Sequence, residues 1–424
     1  MNRVKDRLKI EDIMAAHDIV KDVVKKTPLQ KDEHLSEKYR CTVYLKREDL
    51  QFVRSFKLRG AYHCIRKLPE DEWKNGVVCA SAGNHAQGVA YTCHKLGIQA
   101  AIFMPMTTPK QKVSQVHFFG KSAVKIILTG ETFDHSYQEA MRYCNEHKMT
   151  FIHPFDNLDV IAGQGTVGIE IVQDIDHPID YTFMTIGGGG LISGTGTYIK
   201  TVHPSSKIIG VEPAGAACMK ASLKKGEVVT LPEIDKFVDG AAVKRPGEIT
   251  YSICRKIVDD LVVVPEGKAC SALLDLYTNS AVIAEPAGAL PVAALDFYKD
   301  KIVGKTVVCV ISGGNNDIDR MQEIQERSRL YEGIRHYFAV NLPQRSKALK
   351  LFFDQVIGSD DEIVHIHFTE KRNKPFEHMF IGVEFENMAK YMAFIDRMNA
   401  LGIIYQEVTD GLLRAANQIG GDQS

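Results

Sequence analysis

Lys57 stands between Phe56 and Leu58 in the run Ser55-Phe56-Lys57-Leu58-Arg59-Gly60, just before a stretch that reads as a helix. A lysine among apolar neighbours loses part of its preference for the charged form, and its neutral amine attacks carbonyls. A solvated surface charge is the ordinary reading of any single lysine, so the motifs around it decide. Gly187, Gly188, Gly189 and Gly190, then Leu191, follow an apolar strand and precede a helix holding Ser193, Gly194, Thr195 and Gly196. Backbone amides in a loop without Cβ atoms converge on phosphate oxygens, helped by the positive end of the following helix. The run is neither G-x-G-x-x-G with a ribose-binding acid nor a G-K-[ST] loop, which disfavours NAD and ATP. An amine for an aldehyde and a cradle for a phosphate point to a Schiff-base lysine holding pyridoxal phosphate, and so to an enzyme of amino-acid chemistry.

Ser81-Ala82-Gly83-Asn84-His85 opens a second helix after a strand. The Asn84 amide suits a cofactor ring oxygen, while the Ser81 hydroxyl and the backbone amides of Ala82, Gly83, Asn84 and His85 suit a substrate carboxylate. Serine and asparagine also cap helices routinely, and both roles can coexist. The His85 side chain reads as packed against its own helix, leaving only its backbone amide for substrate. Ser312, in Ser312-Gly313-Gly314-Asn315, would leave a pyridine nitrogen largely unprotonated, which weakens the ring as an electron sink and favours expulsion of a β-leaving group. Glu285, before Pro286, reads equally as a carboxylate near the ring or leaving hydroxyl and as a plain helix-entry acid. Glu212, in Val211-Glu212-Pro213, is a lone acid and weak evidence for a cation; no metal site is expected.

These residues need elements to hold them. The chain has 424 residues, too many for one compact core. Hydrophobic and charged residues make up 45% and 25%, and the formal net charge is −1, so neither nucleic acid nor an anionic membrane is an expected partner. Nine scattered cysteines with no C-x-x-C pair argue against a disulfide framework or zinc ribbon and for a reducing cytoplasm. The start is charged and amphipathic, unlike a signal peptide, and no stretch approaches the roughly 18 apolar residues of a membrane span. The chain reads as soluble and cytoplasmic.

Up to about residue 325, short apolar strands (42–46, 76–80, 100–104, 123–128, 181–186, 207–211 and 306–311) alternate with helical segments, the pattern of covered parallel sheets. Ser81, Gly187 and Ser312 all lie just after strands, where ligands bind in such folds. Residues 327–334 read as an irregular connector. Beyond it come a strand (335–341), a helix (344–357), strands at 361–369 and 378–385 around a polar turn at 371–375, a helix (387–400) and a strand (403–408). This is the β-α-β-β-α-β order of a ferredoxin-like domain, without a phosphate loop, and reads as an addition for regulation or assembly.

Taken in order, these motifs resemble the fold-type II pyridoxal-phosphate enzymes, and among them the biosynthetic threonine dehydratases (threonine ammonia-lyases). The resemblance covers essentially the whole chain. It implies an α/β core like that of the tryptophan synthase β-subunit, with a large catalytic domain (1–52 and 154–326), a small cofactor domain (53–153) inserted into it, and an ACT-like α+β regulatory domain (335–424). It implies Lys57 and Ser81 as catalytic residues, with Phe56, Asn84, Gly187, Gly188, Gly189, Gly190, Leu191 and Ser312 around pyridoxal 5′-phosphate. It further implies conversion of L-threonine to 2-oxobutanoate and ammonia, L-serine as a second substrate, feedback by isoleucine, with valine as a second effector, and a homotetramer. Serine racemases are the nearest alternative, but they carry a serine where this chain has Ala82 and an acid where it has Cys218. Cysteine synthase and the tryptophan synthase β-subunit share the fold but add a nucleophile, and the regulatory tail disfavours them. A third alternative is an amino-acid sensor built on an inactive core, which the intact Lys57, Asn84 and Ser312 disfavour.

Overall fold

The computed structural model describes residues 8–343, 348–369 and 376–408. The chain divides into two compact units, Met1–Met321 and Gln322–Ser424. The strands of the first are, in chain order, β1 (Leu29–Lys31), β2 (Thr42–Arg47), β3 (Val77–Ala80), β4 (Ala100–Met104), β5 (Val124–Leu128), β6 (Thr150–Phe151), β7 (Tyr181–Thr185), β8 (Lys207–Pro213), β9 (Asp260–Val264) and β10 (Thr306–Ile311). They form a six-stranded sheet, β1-β2-β10-β7-β8-β9, and a four-stranded sheet, β5-β4-β3-β6. All neighbours pair in parallel except β1, an antiparallel edge on β2. Every residue of β3 and β4 is buried, as is β10 from Val307 to Ile311. Both faces of these strands are covered, which is why they read as unbroken apolar runs.

The strands expected at 100–104 and 306–311 coincide with β4 and β10, and the other five differ by one or two residues at an end. β1 and β6, of three and two residues, carry no comparable signal, whereas β9 holds an apolar, mostly β-branched run, Leu261-Val262-Val263-Val264, that was not among the expected strands.

The helices that carry or brace the motif residues are α1 (Lys57–Lys67), α2 (Asn84–Leu96), α3 (Leu158–Asp174), α4 (Gly190–Val202), α5 (Cys218–Lys225), α6 (Glu248–Ile257) and α7 (Pro286–Ala293). Three of the sequence motifs fall at the carboxyl ends of β3, β7 and β10, where an open parallel sheet exposes amides of following helices.

The second unit holds α8 (Met321–Tyr331, from the boundary onward), β11 (Arg335–Pro343), α9 (Ala348–Gln355), β12 (Glu362–Thr369), β13 (Phe376–Glu384), α10 (Met388–Ala400) and β14 (Ile404–Glu407). Its sheet order, β12-β13-β11-β14 with antiparallel neighbours, is that of a ferredoxin-like fold. Alternate residues of β11 and β13 (Phe338, Val340, Met379, Ile381 and Val383) meet Phe352 of α9 and Phe394 of α10 in one core. Asn387 caps α10 by accepting from the Lys390 amide. The stretch read as an irregular connector at 327–334 is helical through Tyr331. Its charges are a helix surface, with Arg327 reaching back one turn to Glu323. The polar turn at 371–375 and the start of the 344–357 helix lie outside the described residues.

Candidate active site

Lys57 is the first residue of α1, and no side chain caps that helix. Its Nζ donates to Pro154 O at 2.9 Å and stands 5.3 Å from the centre of the Phe56 ring. Burial strips water from the ammonium and lowers its pKa to about 8, with the Glu285 carboxylate opposing the shift. The positive end of α1 acts in the same direction as burial. Such a shift raises the neutral share at pH 7 from about one part in 3,000 to roughly a tenth.

Ser81 ends β3 by donating its amide to Phe103 O at 3.0 Å, and its Oγ accepts from the Gly83 amide at 3.3 Å. That bond precedes α2 and does not reach into it, so no side chain caps the helix that Asn84 opens. The first-turn amides of Asn84 and His85 are thereby left to an anion. The His85 ring is buried and its Nε2 lies 2.9 Å from Ile152 O, which fixes the hydrogen on Nε2. Burial and the nearby Lys57 lower its pKa to about 3, so the ring is neutral and its backbone is the part free to bind.

Asn84 Nδ2 donates to Glu285 Oε1 at 2.7 Å, and its Oδ1 accepts from Asn315 Nδ2 at 2.6 Å. Glu285 stands at the N-terminal boundary of α7 without a side-chain bond to that helix, and it is 4% exposed. Burial and repulsion from Asp239 push its carboxyl up to about 7, against the Asn84 hydrogen bond. Its own amide donates to Gly313 O at 3.0 Å, and the Phe56 amide donates to Ser312 O at 3.1 Å. Asn84, Glu285, the Ser312 segment and Phe56, the residue before Lys57, are thus linked by a few direct bonds.

Across the cleft, Gly189 sits at φ +93° at the head of α4, a conformation that favours glycine, and no side chain caps this helix either. A Cβ on Gly188 would lie 2.3 Å from carbons of the Phe155 ring, and one on Gly187 would lie 3.1 Å from Ala241 Cα. Thr250 Oγ1 of α6 fixes the loop by donating to Gly188 O at 2.6 Å, and Asp156 caps α6 by accepting from the Ile249 amide at 2.9 Å. Leu191 is buried behind the loop.

Two family models match the chain: a pyridoxal-phosphate dependent enzyme over residues 20–313, and the C-terminal regulatory domain of threonine dehydratase over residues 326–415. The biosynthetic L-threonine dehydratase IlvA of Halalkalibacterium halodurans is 60% identical over 402 residues, covering 95% of this chain and 97% of the relative. This chain belongs to the pyridoxal-phosphate dependent threonine dehydratases. Within that family, the Bacillus subtilis protein of the same name is 58% identical over 401 residues, 95% of each chain. The processed form of threonine deaminase isoform 2 from Solanum lycopersicum matches with a TM-score of 0.72 at 40% identity, over 75% of this chain and 92% of that one.

The cofactor of the family is pyridoxal 5′-phosphate, and the residues here fit it. A loop with no room for side chains presents only amides to a phosphate. A lysine of lowered pKa offers an amine to the aldehyde, and a carboxamide and a hydroxyl-bearing segment flank the space for a ring. Glu212 is occupied otherwise: its carboxylate accepts from the amides of Met219 at 2.7 Å and Lys220 at 2.8 Å and so caps α5, and burial raises its pKa to about 7. Among the described residues no cluster of three metal-ligating side chains occurs.

Sequence reasoning assigned no part to Asn315, Pro154, Phe155, Asp156 or Thr250. Asn315 sits inside the Ser-Gly-Gly-Asn motif and was within reach of the same argument. The others act through a backbone carbonyl, a ring under a glycine, a helix cap and a hydroxyl bonded to the glycine loop, and none of these leaves a pattern along the chain.

Proposed function

We propose that this chain is a biosynthetic L-threonine dehydratase, releasing 2-oxobutanoate and ammonia from L-threonine and pyruvate and ammonia from L-serine. The observation that carries the reading is Lys57, an amine of lowered pKa at the head of a helix, whose neighbour Phe56 bonds to the Ser312 segment that also bonds to Glu285, the acceptor of Asn84. The bound cofactor supplies an aldehyde that joins the substrate amine and a ring that accepts electron density from the α-carbon. Gly187 to Gly190 and Leu191 would hold its phosphate through their amides, with Phe56 beside it, Asn84 as the donor for its ring oxygen and Ser312 as the partner for its ring nitrogen. Ser81 and the amides from Ala82 to His85 hold the substrate carboxylate. The Lys57 amine would take the α-proton as general base, and the β-hydroxyl would leave as water by taking up one proton, so that the two transfers balance. The enamine then hydrolyses to the 2-oxo acid and ammonia. Serine lacks one methyl, which costs only about 1–3 kcal/mol of discrimination.

We further infer that residues 53–153 form a small cofactor domain within a large domain of 1–52 and 154–326, and that the module from 335 onward is regulatory. The match of the second unit to a threonine dehydratase regulatory domain supports an amino-acid effector, for which isoleucine is the first candidate and valine the second. A cytoplasmic homotetramer that opens isoleucine synthesis completes the reading. Ala82 offers no proton from the second face, which argues against a racemase. The reading is tested by incubating the protein with pyridoxal phosphate and L-threonine and following 2-oxobutanoate. Absence of that product would refute it.

A further inference from the structure

Two residues past Lys57, on the same first turn of α1, lies the fully buried Arg59. Its Nε and Nη2 donate to the two oxygens of Glu48, both at 2.8 Å. Its Nη1 and Nη2 donate to Glu170 Oε1 and Oε2 at 2.7 and 2.8 Å, and Nη1 reaches Thr166 Oγ1 at 3.2 Å. Lys46 Nζ donates to Glu170 Oε2 and to Thr27 O, each at 2.6 Å. Lys46, Glu48, Arg59 and Glu170 are each at most 2% exposed, and their formal charges cancel. Burial works against the Arg59 charge, but the two carboxylates outweigh it and hold its pKa above the ordinary value.

A buried ionic network adds little net stability over apolar side chains of equal volume; what it adds is geometry. Here a rigid guanidinium fork on α1 engages Glu48, just beyond β2, and Glu170 on α3 at the same time. The backbone around it is equally confined. A Cβ on Gly88 of α2 would lie 3.2 Å from the Lys57 carbonyl, and one on Gly163 of α3 would lie 2.6 Å from Arg59 O. An amine on an extended lysine is roughly 8 Å from its helix axis, so a rotation of about 10° displaces it by more than 1 Å. Misplacement on that scale costs about 100-fold in rate.

We propose that Arg59 is a positioning residue for Lys57: the Lys46–Glu48–Arg59–Glu170 network sets the rotation of α1 about its axis and with it the direction of the Lys57 amine. The proposal rests on the reading of Lys57 as the residue that receives the cofactor aldehyde. It is tested with Arg59→Lys, which keeps the charge and loses the fork, and with Thr166→Val, which removes one bond to the fork. Two quantities are measured: kcat and KM per mole of bound cofactor, and the rate at which the folded, cofactor-free protein captures added pyridoxal phosphate, read by visible absorbance. Arg59→Lys is expected to lower kcat and the capture rate at least tenfold with KM within about threefold, and Thr166→Val to lower both about two- to fivefold. Wild-type values of both in either folded variant would overturn the proposal, as would losses that only track the folded fraction. Should Arg59→Lys not fold, Thr166→Val alone decides. Lys57→Ala is the control: capture that persists there contradicts the reading of Lys57 itself, whatever the Arg59 variants do.

Discussion

The Asn84 side chain joins three distant segments: it donates to Glu285 Oε1 at 2.7 Å and accepts from Asn315 Nδ2 at 2.6 Å. The bond to Glu285 runs from the head of α2, on the four-stranded sheet, to the head of α7, beside the six-stranded one. A carboxyl with a pKa near 7 thus lies one bond from the carboxamide assigned to the cofactor ring oxygen.

That carboxyl makes stability depend on pH. Between about pH 4.5 and 7 the folded protein keeps a proton on Glu285, and another on Glu212, that the unfolded chain has released. Raising pH through this window therefore lowers the stability of the cofactor-free protein. From about pH 8 to 10.5 the sign reverses, because folded Lys57 has lost a proton that the unfolded chain retains. Glu285→Gln should flatten the lower slope and reduce the stability lost across the window by on the order of 1–3 kcal/mol. Urea unfolding at half-unit pH steps checks this, and an unchanged slope in the variant would contradict it.

The glycine loop should tolerate no side chain. Gly188→Ala drives a Cβ into the Phe155 ring, a crowding cost of about 1–3 kcal/mol. Roughly ten- to 100-fold weaker cofactor retention follows, read by equilibrium dialysis. Gly189→Ala adds backbone strain at φ +93° of about 1–2 kcal/mol. Retention equal to wild type in both variants would show that the loop does not hold the phosphate.

Much of the catalytic unit was legible because its strands are short, covered and β-branched, and because its chemistry sits in contiguous motifs after those strands. The ferredoxin-like order of the second unit was legible from alternation in β12 and β13 and from helical spacing in α10. The connector was misjudged because a solvent-facing helix and a charged loop have the same composition. Arg59 was in plain view within the Lys57 motif, yet nothing local indicates that its partners are Glu48 and Glu170, the latter 111 positions away. Long-range polar pairing leaves no periodic trace.

Racemisation offers a sharp chemical contrast. Ala82 follows Ser81 after β3 and has no proton to give, so L-serine should yield pyruvate with negligible D-serine. Ala82→Ser should raise D-serine formation measurably. Chiral chromatography separates the cases, and substantial D-serine from the unaltered protein would count against the dehydratase reading.

Regulation should pass through α8, the first helix of the second unit. Glu384 of β13 accepts from Arg329 of α8 at 2.6 Å and from Arg335 Nε at 2.7 Å, tying that helix to the regulatory sheet. Isoleucine should raise the threonine concentration for half-maximal rate by about five- to 100-fold, the range of ordinary coupling energies. Glu384→Gln should blunt that response and leave the uninhibited kcat unchanged. Rates that ignore isoleucine and valine at saturation would remove the effector assignment.

Borohydride reduction of the cofactor-loaded protein, followed by peptide mass spectrometry, tests the central claim most directly. A single phosphopyridoxyl label on Lys57, absent from a Lys57→Ala variant whose turnover is lower by about 10⁴-fold, is the expected result. A label on any other lysine, or none, would contradict the assignment of Lys57.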